Sequence, residues 1–372
     1  MKSIFVIGSC FPAELGGPSN TIHRFSKALT KSGSNVEIWS TLHGITKKHK
    51  SEYNIIENQQ VDIKGVNVTF FSFFLTHLLP IRMFLKFLFL NRDTNVHLSS
   101  IFYFPNLLIM SILSIKRCAF TIAPRGELFE PALAHRKTLK KLYLYILSIF
   151  LSKATHIIAT SSEEADTIRK KFPSCSELIR VIPNYLELES QHSVEIGSNI
   201  LYMGRLHPHK CIDRLILAYQ SLPLSLREDY SLQIAGDGDV AYKTYLNSIV
   251  QKDSFNISFL GHLTDDKKRE ALSECCILVL PSKSENFGNV ILEALSSARP
   301  VIACHNSPWN SIIKNRCGYY ISNSSEELAL ALKEYITLSR DEKRNMAQRA
   351  RLLAKSEYCI DSNVDKLVAT FM

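Results

Sequence analysis

No run of this 372-residue chain stays apolar for the ~20 residues that a helix needs to cross a bilayer. The uncharged stretch Gly65 to Ile81 holds Phe70-Phe71-Ser72-Phe73-Phe74-Leu75, but Pro80, Arg82 and Lys86 interrupt it. A secretory signal is not expected either. Met1-Lys-Ser-Ile-Phe-Val-Ile-Gly8 has an apolar run shorter than the roughly 7–15 residues of such a signal and reads as a buried strand. The chain also lacks any Cys-x-x-Cys pair. Its nine cysteines (Cys10, Cys118, Cys175, Cys211, Cys275, Cys276, Cys304, Cys317, Cys359) are odd in number and scattered, which argues against a disulfide framework or a zinc site and for a reduced cytoplasmic compartment. Acidic residues are scarce in the first half: residues 1–185 carry 23 Lys and Arg against 12 Asp and Glu, whereas residues 186–372 carry 21 against 23. No internal repeat and no low-complexity tract occurs.

What is present is the pattern of a folded α/β protein too long for one core, which commonly stops growing near about 250–300 residues. Strand Ile4–Ile7, a loop carrying Gly16-Gly17, a helical pattern over Asn20–Lys31 and strand Asn35–Ser40 form a β-loop-α-β opening, typical of a doubly wound parallel sheet. Apolar runs recur at Asn95–Leu98, Ala119–Ala123 and His156–Ala159. A second cycle supplies Asn199–Met203, Ser231–Ala235, Ile257–Leu260, Ile277–Leu280 and Pro300–Ala303, so two α/β sheets in tandem are expected. Val181-Ile-Pro-Asn-Tyr-Leu-Glu-Leu-Glu-Ser190, with its Pro-Asn turn and acids, is the expected linker. Arg82 and Lys86 share one helical face, as do Arg136 with Lys140 and Lys137 with Lys141. Such basic amphipathic helices suit an anionic membrane surface; the alternative is an aromatic run in the core and a solvated lysine face.

The densest chemistry lies in Ser284-Glu-Asn-Phe-Gly-Asn-Val-Ile-Leu-Glu-Ala-Leu295. Gly288 permits close backbone approach, Asn289 is a suitable N-cap, and Val290 to Leu295 reads as the first turns of a helix. The unpaired N–H groups of a helix start attract phosphate. Glu285 before it and Glu293 about one turn inside are placed to accept hydrogen bonds from hydroxyls attached to that phosphate. An anion site flanked by two hydroxyl acceptors fits a nucleotide sugar; a capped buried helix with a satisfied Glu fits the segment equally well. Strand Asn199–Met203 leads into Gly204-Arg205-Leu-His-Pro-His-Lys210, and loops after parallel strands are where open α/β sheets bind ligands. Arg205 and Lys210 suit a diphosphate leaving group. Gly236 and Gly238, in Ala235-Gly-Asp-Gly-Asp239, give a turn able to frame a nucleotide base, although turn chemistry alone also explains them. His207 and His209 lack metal-ligand spacing, so a metal-independent site without cofactor is expected.

In combination these motifs carry a resemblance. Gly16-Gly17, Gly204-Arg205…Lys210-x-x-Asp213, Ala235-Gly-Asp-Gly238, Leu260-Gly-His262, Leu280-Pro-Ser282 and Glu285-x-Phe-Gly-x-x-x-x-Glu293-Ala resemble retaining GT-B glycosyltransferases of the family-4 type, the "glycosyl transferases group 1". Ala123-Pro-Arg-Gly-Glu-Leu-Phe-Glu-Pro-Ala132, Ser307-Pro-Trp-Asn310 and Cys317-Gly-Tyr-Tyr320 are similar to members that build bacterial surface polysaccharide.

The resemblance implies two Rossmann-like domains facing a cleft. The acceptor-binding domain would be residues 1–184 with a returning C-terminal helix at about 358–372, and the nucleotide-sugar domain residues 185–357. It implies Arg205 and Lys210 on the diphosphate, Glu293 on the ribose, and Glu285 beside the donor sugar. Phe287, Gly288, Asn289, Val290, Gly236, Gly238 and Gly17 would complete the donor site, and Asn20, Arg125 and Gly126 would touch acceptor or donor sugar. Many relatives have His-Gly where this chain has Arg125-Gly126, and an Arg cannot act as a base at neutral pH.

The leading expectation is a cytoplasmic enzyme, peripheral at the inner membrane face, that moves a sugar with retention from a nucleotide diphosphate sugar to a glycan or lipid-linked acceptor of O-antigen, capsule or exopolysaccharide. The alternatives are a nucleotide-sugar epimerase of the same fold, which would need a base that the sequence does not offer, and a non-enzymatic membrane-surface protein. No nucleic-acid motif is present.

Overall fold

The computed structural model describes residues 2–8, 17–73, 79–133, 137–188, 196–250 and 256–372. Met1, Cys10, Gly16, Phe74-Leu75, Arg136 and Glu189-Ser190, named above, lie outside the described residues. The chain divides into two units, Met1–Glu187 with Ile360–Met372 and Leu188–Cys359.

The first unit contains β1 (Lys2–Ile7), α1 (Gly17–Lys31), β2 (Asn35–Thr41), α2 (Lys47–Glu52), β3 (Gln60–Ile63), β4 (Val66–Phe71), α3 (Ile81–Leu88), β5 (Thr94–Ser99), α4 (Phe104–Lys116), β6 (Phe120–Ala123), α5 (Glu130–Leu133), α6 (Lys137–Leu151), β7 (His156–Ala159), α7 (Ser162–Lys171) and β8 (Ile179–Val181). The sheet order is β3-β4-β2-β1-β5-β6-β7-β8, parallel except for β3 against β4. Because side chains alternate across a strand, each central strand serves two cores. Ile4 and Val6 of β1 join Trp39, Phe71, Val96 and Leu98 on one face, while Phe5 and Ile7 join Ile38, Phe70 and the α1 residues Ile22 and Phe25 on the other. Phe70 and Phe71 are thus fully buried on opposite faces of β4, and this part of the aromatic run is core. Among the described residues no helix is long and apolar enough to cross a membrane.

Three expectations are corrected here. The first helix starts at Gly17 rather than at Asn20, so Asn20 sits in its first turn. The division between the units falls after Glu187, inside the expected linker Val181–Ser190, but residues 181–187 are packed on the first unit: Ile182 and Tyr185 are buried in the second of the two cores, the Leu186 carbonyl accepts the Ile360 N–H at 2.9 Å, and Glu187 pairs with Lys31 at 2.7 Å. Strands β3, β4 and β8 were not anticipated; β3 is a half-exposed edge and β8 has three residues, so neither carries a strong apolar pattern.

The final helix, Val364–Phe371, closes this unit. Ser3 Oγ donates to the Phe371 carbonyl at 2.6 Å, and the Phe371 ring lies 5.3 Å from Phe5 and 4.9 Å from His97.

In the second unit the elements are β9 (Asn199–Met203), α8 (Ile212–Gln220), α9 (Leu224–Asp229), β10 (Ser231–Ala235), α10 (Val240–Ile249), β11 (Ile257–Gly261), α11 (Asp265–Glu274), β12 (Cys275–Leu280), α12 (Asn289–Ser296), β13 (Val301–Cys304), α13 (Ser311–Lys314), β14 (Gly318–Ile321), α14 (Ser325–Thr337) and α15 (Arg340–Tyr358). The sheet runs β11-β10-β9-β12-β13-β14, all parallel. All six residues of β12 are buried, as expected of a strand covered on both faces. Burial pushes the Cys275 thiol up to about 12, so it packs as a small apolar group. Strand β14 was also unforeseen; it is a half-buried edge strand inside Cys317–Tyr320 and its continuation.

His97 makes the first unit sensitive to acid. It is 3% exposed, its Nδ1 lies 2.8 Å from Thr121 Oγ1, and burial, with Arg125 nearby, holds its pKa well below the ordinary value. The folded chain therefore keeps His97 neutral where the unfolded chain takes up a proton, near pH 6.5. Below that pH the unfolded state binds more protons, so stability falls as pH falls and is retained above it. Thermal unfolding of His97→Gln between pH 7.5 and 5.5 is expected to show a flatter acid limb than wild type; parallel limbs would contradict this.

Candidate functional site

The second sheet fixes its site through neighbouring strand ends. Order β10-β9-β12 brings the loops after these three strands together at the carboxyl edge. The first two are joined by backbone alone: Leu206 N–H donates to the Asp237 carbonyl at 3.0 Å, and Asp239 N–H to the Leu206 carbonyl at 2.8 Å. A Cβ on Gly236 would lie 1.8 Å from the Gly204 carbonyl oxygen, and one on Gly238 2.3 Å from that of Leu206. Gly236 also has φ +141, so both glycines are required by close approach. Asp239 then caps α10 by accepting the Tyr242 N–H at 2.7 Å.

Between Gly204 and α8 the chain makes a 3-10 turn, Pro208–Lys210, and passes through left-handed Cys211. This aims Lys210 at the loop after β12. There its ammonium pairs with Glu285 Oε1, which also accepts Ser282 Oγ at 2.6 Å. Both partners of the pair are mostly buried, with side chains 20% and 12% exposed. His209 braces the same loop, its Nε2 lying 3.0 Å from Ser284 Oγ and its carbonyl accepting Lys283 N–H at 2.9 Å. Burial lowers the His209 pKa, favouring a neutral ring. Arg205 is exposed, and its carbonyl accepts the Tyr202 hydroxyl at 3.1 Å.

The helix start differs from expectation in one respect. Gly288, at φ +77 and ψ +64, is the residue before α12, and Asn289 is the first helical residue rather than the cap. The left-handed conformation suits glycine and lets the loop turn into the helix. Phe287 does not offer its side chain to the loop surface. It is 5% exposed, packs edge-on to Trp309 at 5.2 Å, and gives its carbonyl to the Trp309 indole N–H. Tyr320 donates to the Ser307 carbonyl at 2.7 Å, so Ser307–Asn310 and Cys317–Tyr320 together build the floor under Glu285–Gly288. Asn289 and Val290 stand half-buried in the first turn, where N–H groups lack helical partners.

Glu293 is 8% exposed and its Oε2 lies 2.5 Å from Lys268 Nζ on α11. Lys268 was not anticipated, since Asp-Asp-Lys-Lys-Arg-Glu reads as a solvated helical face. Ser282 was likewise missed, although it belongs to the quoted Leu280-Pro-Ser282. Buried Arg299 ties the end of α11 to the turn after α12 by donating to the Leu272 and Ser273 carbonyls, each at 2.8 Å. The second unit thus gathers Lys210, Glu285, Ser282 and the α12 start at one strand edge, with Glu293 and its lysine behind them.

In the first unit, Gly17 and Asn20 open α1 after β1, and Arg125-Gly126 follow β6. Arg125 has φ +56, a conformation costing about 1–2 kcal/mol for a non-glycine residue. Two acids hold this loop: Glu164 accepts the Gly126 N–H and the Thr160 N–H and hydroxyl, both Thr160 bonds at 2.7 Å, while Glu127 accepts Ser100 Oγ at 2.7 Å and Ile101 N–H at 2.6 Å. Arg125 reaches Asn184 Oδ1 at 3.3 Å. Burial pulls its pKa down to about 10, with Glu164 opposing, so it remains a cation at neutral pH. The supporting role of Glu127 was legible only as part of the Ala123–Ala132 motif, and that of Glu164 was not legible.

Two parallel-sheet Rossmann-like units of this kind define a GT-B architecture, and sequence comparison assigns the family. Glycosyltransferase Family 4 matches residues 15–190, and Glycosyl transferases group 1 matches residues 189–353. The chain belongs to this group 1, family-4-type set of glycosyltransferases. It is 34% identical over 103 residues to an uncharacterized glycosyltransferase of Methanocaldococcus jannaschii, covering 28% of this chain and 27% of that protein. It is 29% identical over 169 residues to O-antigen chain mannosyltransferase B of Escherichia coli, covering 43% of each. The matched stretches thus span less than half the length of these relatives. The crystal structure of Anabaena HepE in complex with UDP has the same fold, with TM-score 0.78 at 18% identity over 100% of this chain and 99% of that one.

The Lys210–Glu285 pair gives a test independent of turnover. A diphosphate that came to Lys210 would have to share it with an acid already bound there, so on the expectation that the diphosphate binds at Lys210, Glu285→Ala should bind a nucleoside diphosphate more tightly, on the order of tenfold. Calorimetric titration with UDP and GDP measures this; affinity that is unchanged or weaker for both would contradict a diphosphate at Lys210.

Proposed function

We propose that this chain transfers a sugar from a nucleotide diphosphate sugar to a glycan or lipid-linked glycan of a bacterial surface polysaccharide, with retention of anomeric configuration, at the inner face of the cell membrane. The observation that carries this reading is the cluster of Lys210, Glu285 and Ser282 beside the start of α12, with Glu293 one turn inside the helix. The O-antigen mannosyltransferase of E. coli supports the class of product, and HepE with UDP the class of donor.

In this reading Arg205, Lys210 and the first N–H groups of α12 take the diphosphate, and no metal ion is required. Preorganised donors of this kind stabilise charge that develops in the transition state. Glu293 accepts from the ribose hydroxyls. Glu285 positions sugar hydroxyls and its negative charge favours the cationic anomeric carbon. The bond from that carbon to the diphosphate oxygen breaks, the acceptor oxygen bonds to the same face, and the acceptor proton passes to the departing diphosphate. Arg125 carries no proton in this step; it is a fixed cation for a phosphate or sugar hydroxyl.

Lys210→Ala is expected to lower turnover of a cognate donor about 10²–10³-fold, as the loss of one such donor does, and Glu293→Ala to raise the donor KM. EDTA is expected to leave the rate unchanged. Wild-type rates in both variants would remove the site assignment, loss of activity with EDTA would remove the metal-free reading, and an inverted product by NMR would remove retention.

A further inference from the structure

Among the described residues, the first unit carries an apolar face that no element of that unit covers. Helices α3, α4 and α6 cover one core, sharing Met83, Phe87, Ile109, Met110, Leu113, Leu147 and Leu151. They lie side by side, α4 touching both others, and Lys116 at the end of α4 donates to the Leu88 carbonyl at the end of α3. Their outward rows are also apolar. On α6, Leu142 is 59%, Tyr145 71% and Ile149 56% exposed; Leu85 of α3 is 48% exposed, Phe89 just after it 87%, and Ile115 of α4 82%. Of thirteen exposed large apolar side chains described in this unit, eleven lie on or next to these three helices, whereas those of the second unit are scattered over its surface. Scattered apolar residues need no explanation, but a contiguous patch marks an interaction surface.

Charge identifies the occupant. The three helices contain no Asp or Glu, and they carry Arg82, Lys86, Lys116, Lys140 and Lys141, with Arg117 following. Between Asp93 and Glu163 the only acids are Glu127, whose carboxylate is consumed by the loop after β5, and exposed Glu130. The Lys86 ammonium lies 5.2 Å over the Phe71 ring and that of Lys140 4.8 Å over Phe102, so these cations stand against aromatic side chains at the edge of the apolar band. An apolar band flanked by cations alone is complementary to a bilayer rich in anionic lipid. A second copy of the same face would set like charges against each other.

We infer that the outer face of α3, α4 and α6 docks the chain on an anionic lipid bilayer, the apolar rows entering the headgroup boundary and the basic residues meeting phosphate. The inference deepens the membrane side of the proposed function and rests on that reading only for which leaflet is met.

The test is co-sedimentation of the full chain with phosphatidylcholine vesicles containing or lacking phosphatidylglycerol, at low and high salt. Wild type is expected to bind the anionic vesicles and to release as salt rises. Tyr145→Glu with Ile149→Glu is expected to abolish binding, and Arg82→Glu or Lys141→Glu to weaken it about fivefold or more. All these variants should turn over donor with a soluble acceptor at the wild-type rate, because their side chains are exposed and distant in sequence from the donor loops; a catalytic failure shared by wild type would instead strike the proposed function. No wild-type binding at low salt, or full binding by the double glutamate variant, overturns the inference. So does a vesicle-free dimer that the double variant converts to monomer, since the occupant is then a second copy.

Discussion

The ion pair between Lys210 and Glu285 joins two loops that are 75 residues apart in sequence, and the candidate site is organised around it. The pair exists because β9 and β12 are adjacent parallel strands whose carboxyl ends deliver their loops to the same edge. A mostly buried pair of this kind stabilises little by itself, because desolvating both ions costs as much as their attraction returns. Its value is in placement: each charge is held, dehydrated and hydrogen-bonded where a ligand of mixed charge would meet it. Ser282 takes one lone pair of Glu285 and His209 braces the segment between, so the carboxylate has little freedom to turn away.

Behind this pair a second, Lys268 with Glu293, repeats the device on the neighbouring helices α11 and α12. Each acid is matched by one lysine before any ligand arrives. The backbone zipper between Gly204–Leu206 and Gly236–Asp239 and the floor built from Trp309, Tyr320 and Tyr358 keep the loops from collapsing inward.

Much of this was legible in the sequence. Buried strands of a parallel sheet are continuous apolar runs, so β1, β2, β5, β6, β7, β9, β10, β12 and β13 were found nearly at their true limits, and the half-exposed edge strand β11 was found as well. Edge strands such as β3, β8 and β14 are short and half-exposed, and period-two patterning fails there. The loop acids were legible through spacing, whereas their lysine partner Lys268 was not, because an ion pair between helices leaves no local mark. The left-handed cap at Gly288 was hidden by a neighbouring Asn that suits the same role. The run Val181–Ser190 looked like a linker from its turn residues, yet Ile182 and Tyr185 are apolar enough to be taken into the core.

A crystal structure of the chain with a nucleoside diphosphate bound tests the central claim most directly. The account predicts the diphosphate oxygens within hydrogen-bond distance of Lys210 Nζ and the first N–H groups of α12, with the ribose hydroxyls on Glu293. A nucleotide seated elsewhere, with the Lys210–Glu285 and Lys268–Glu293 pairs untouched, would contradict it.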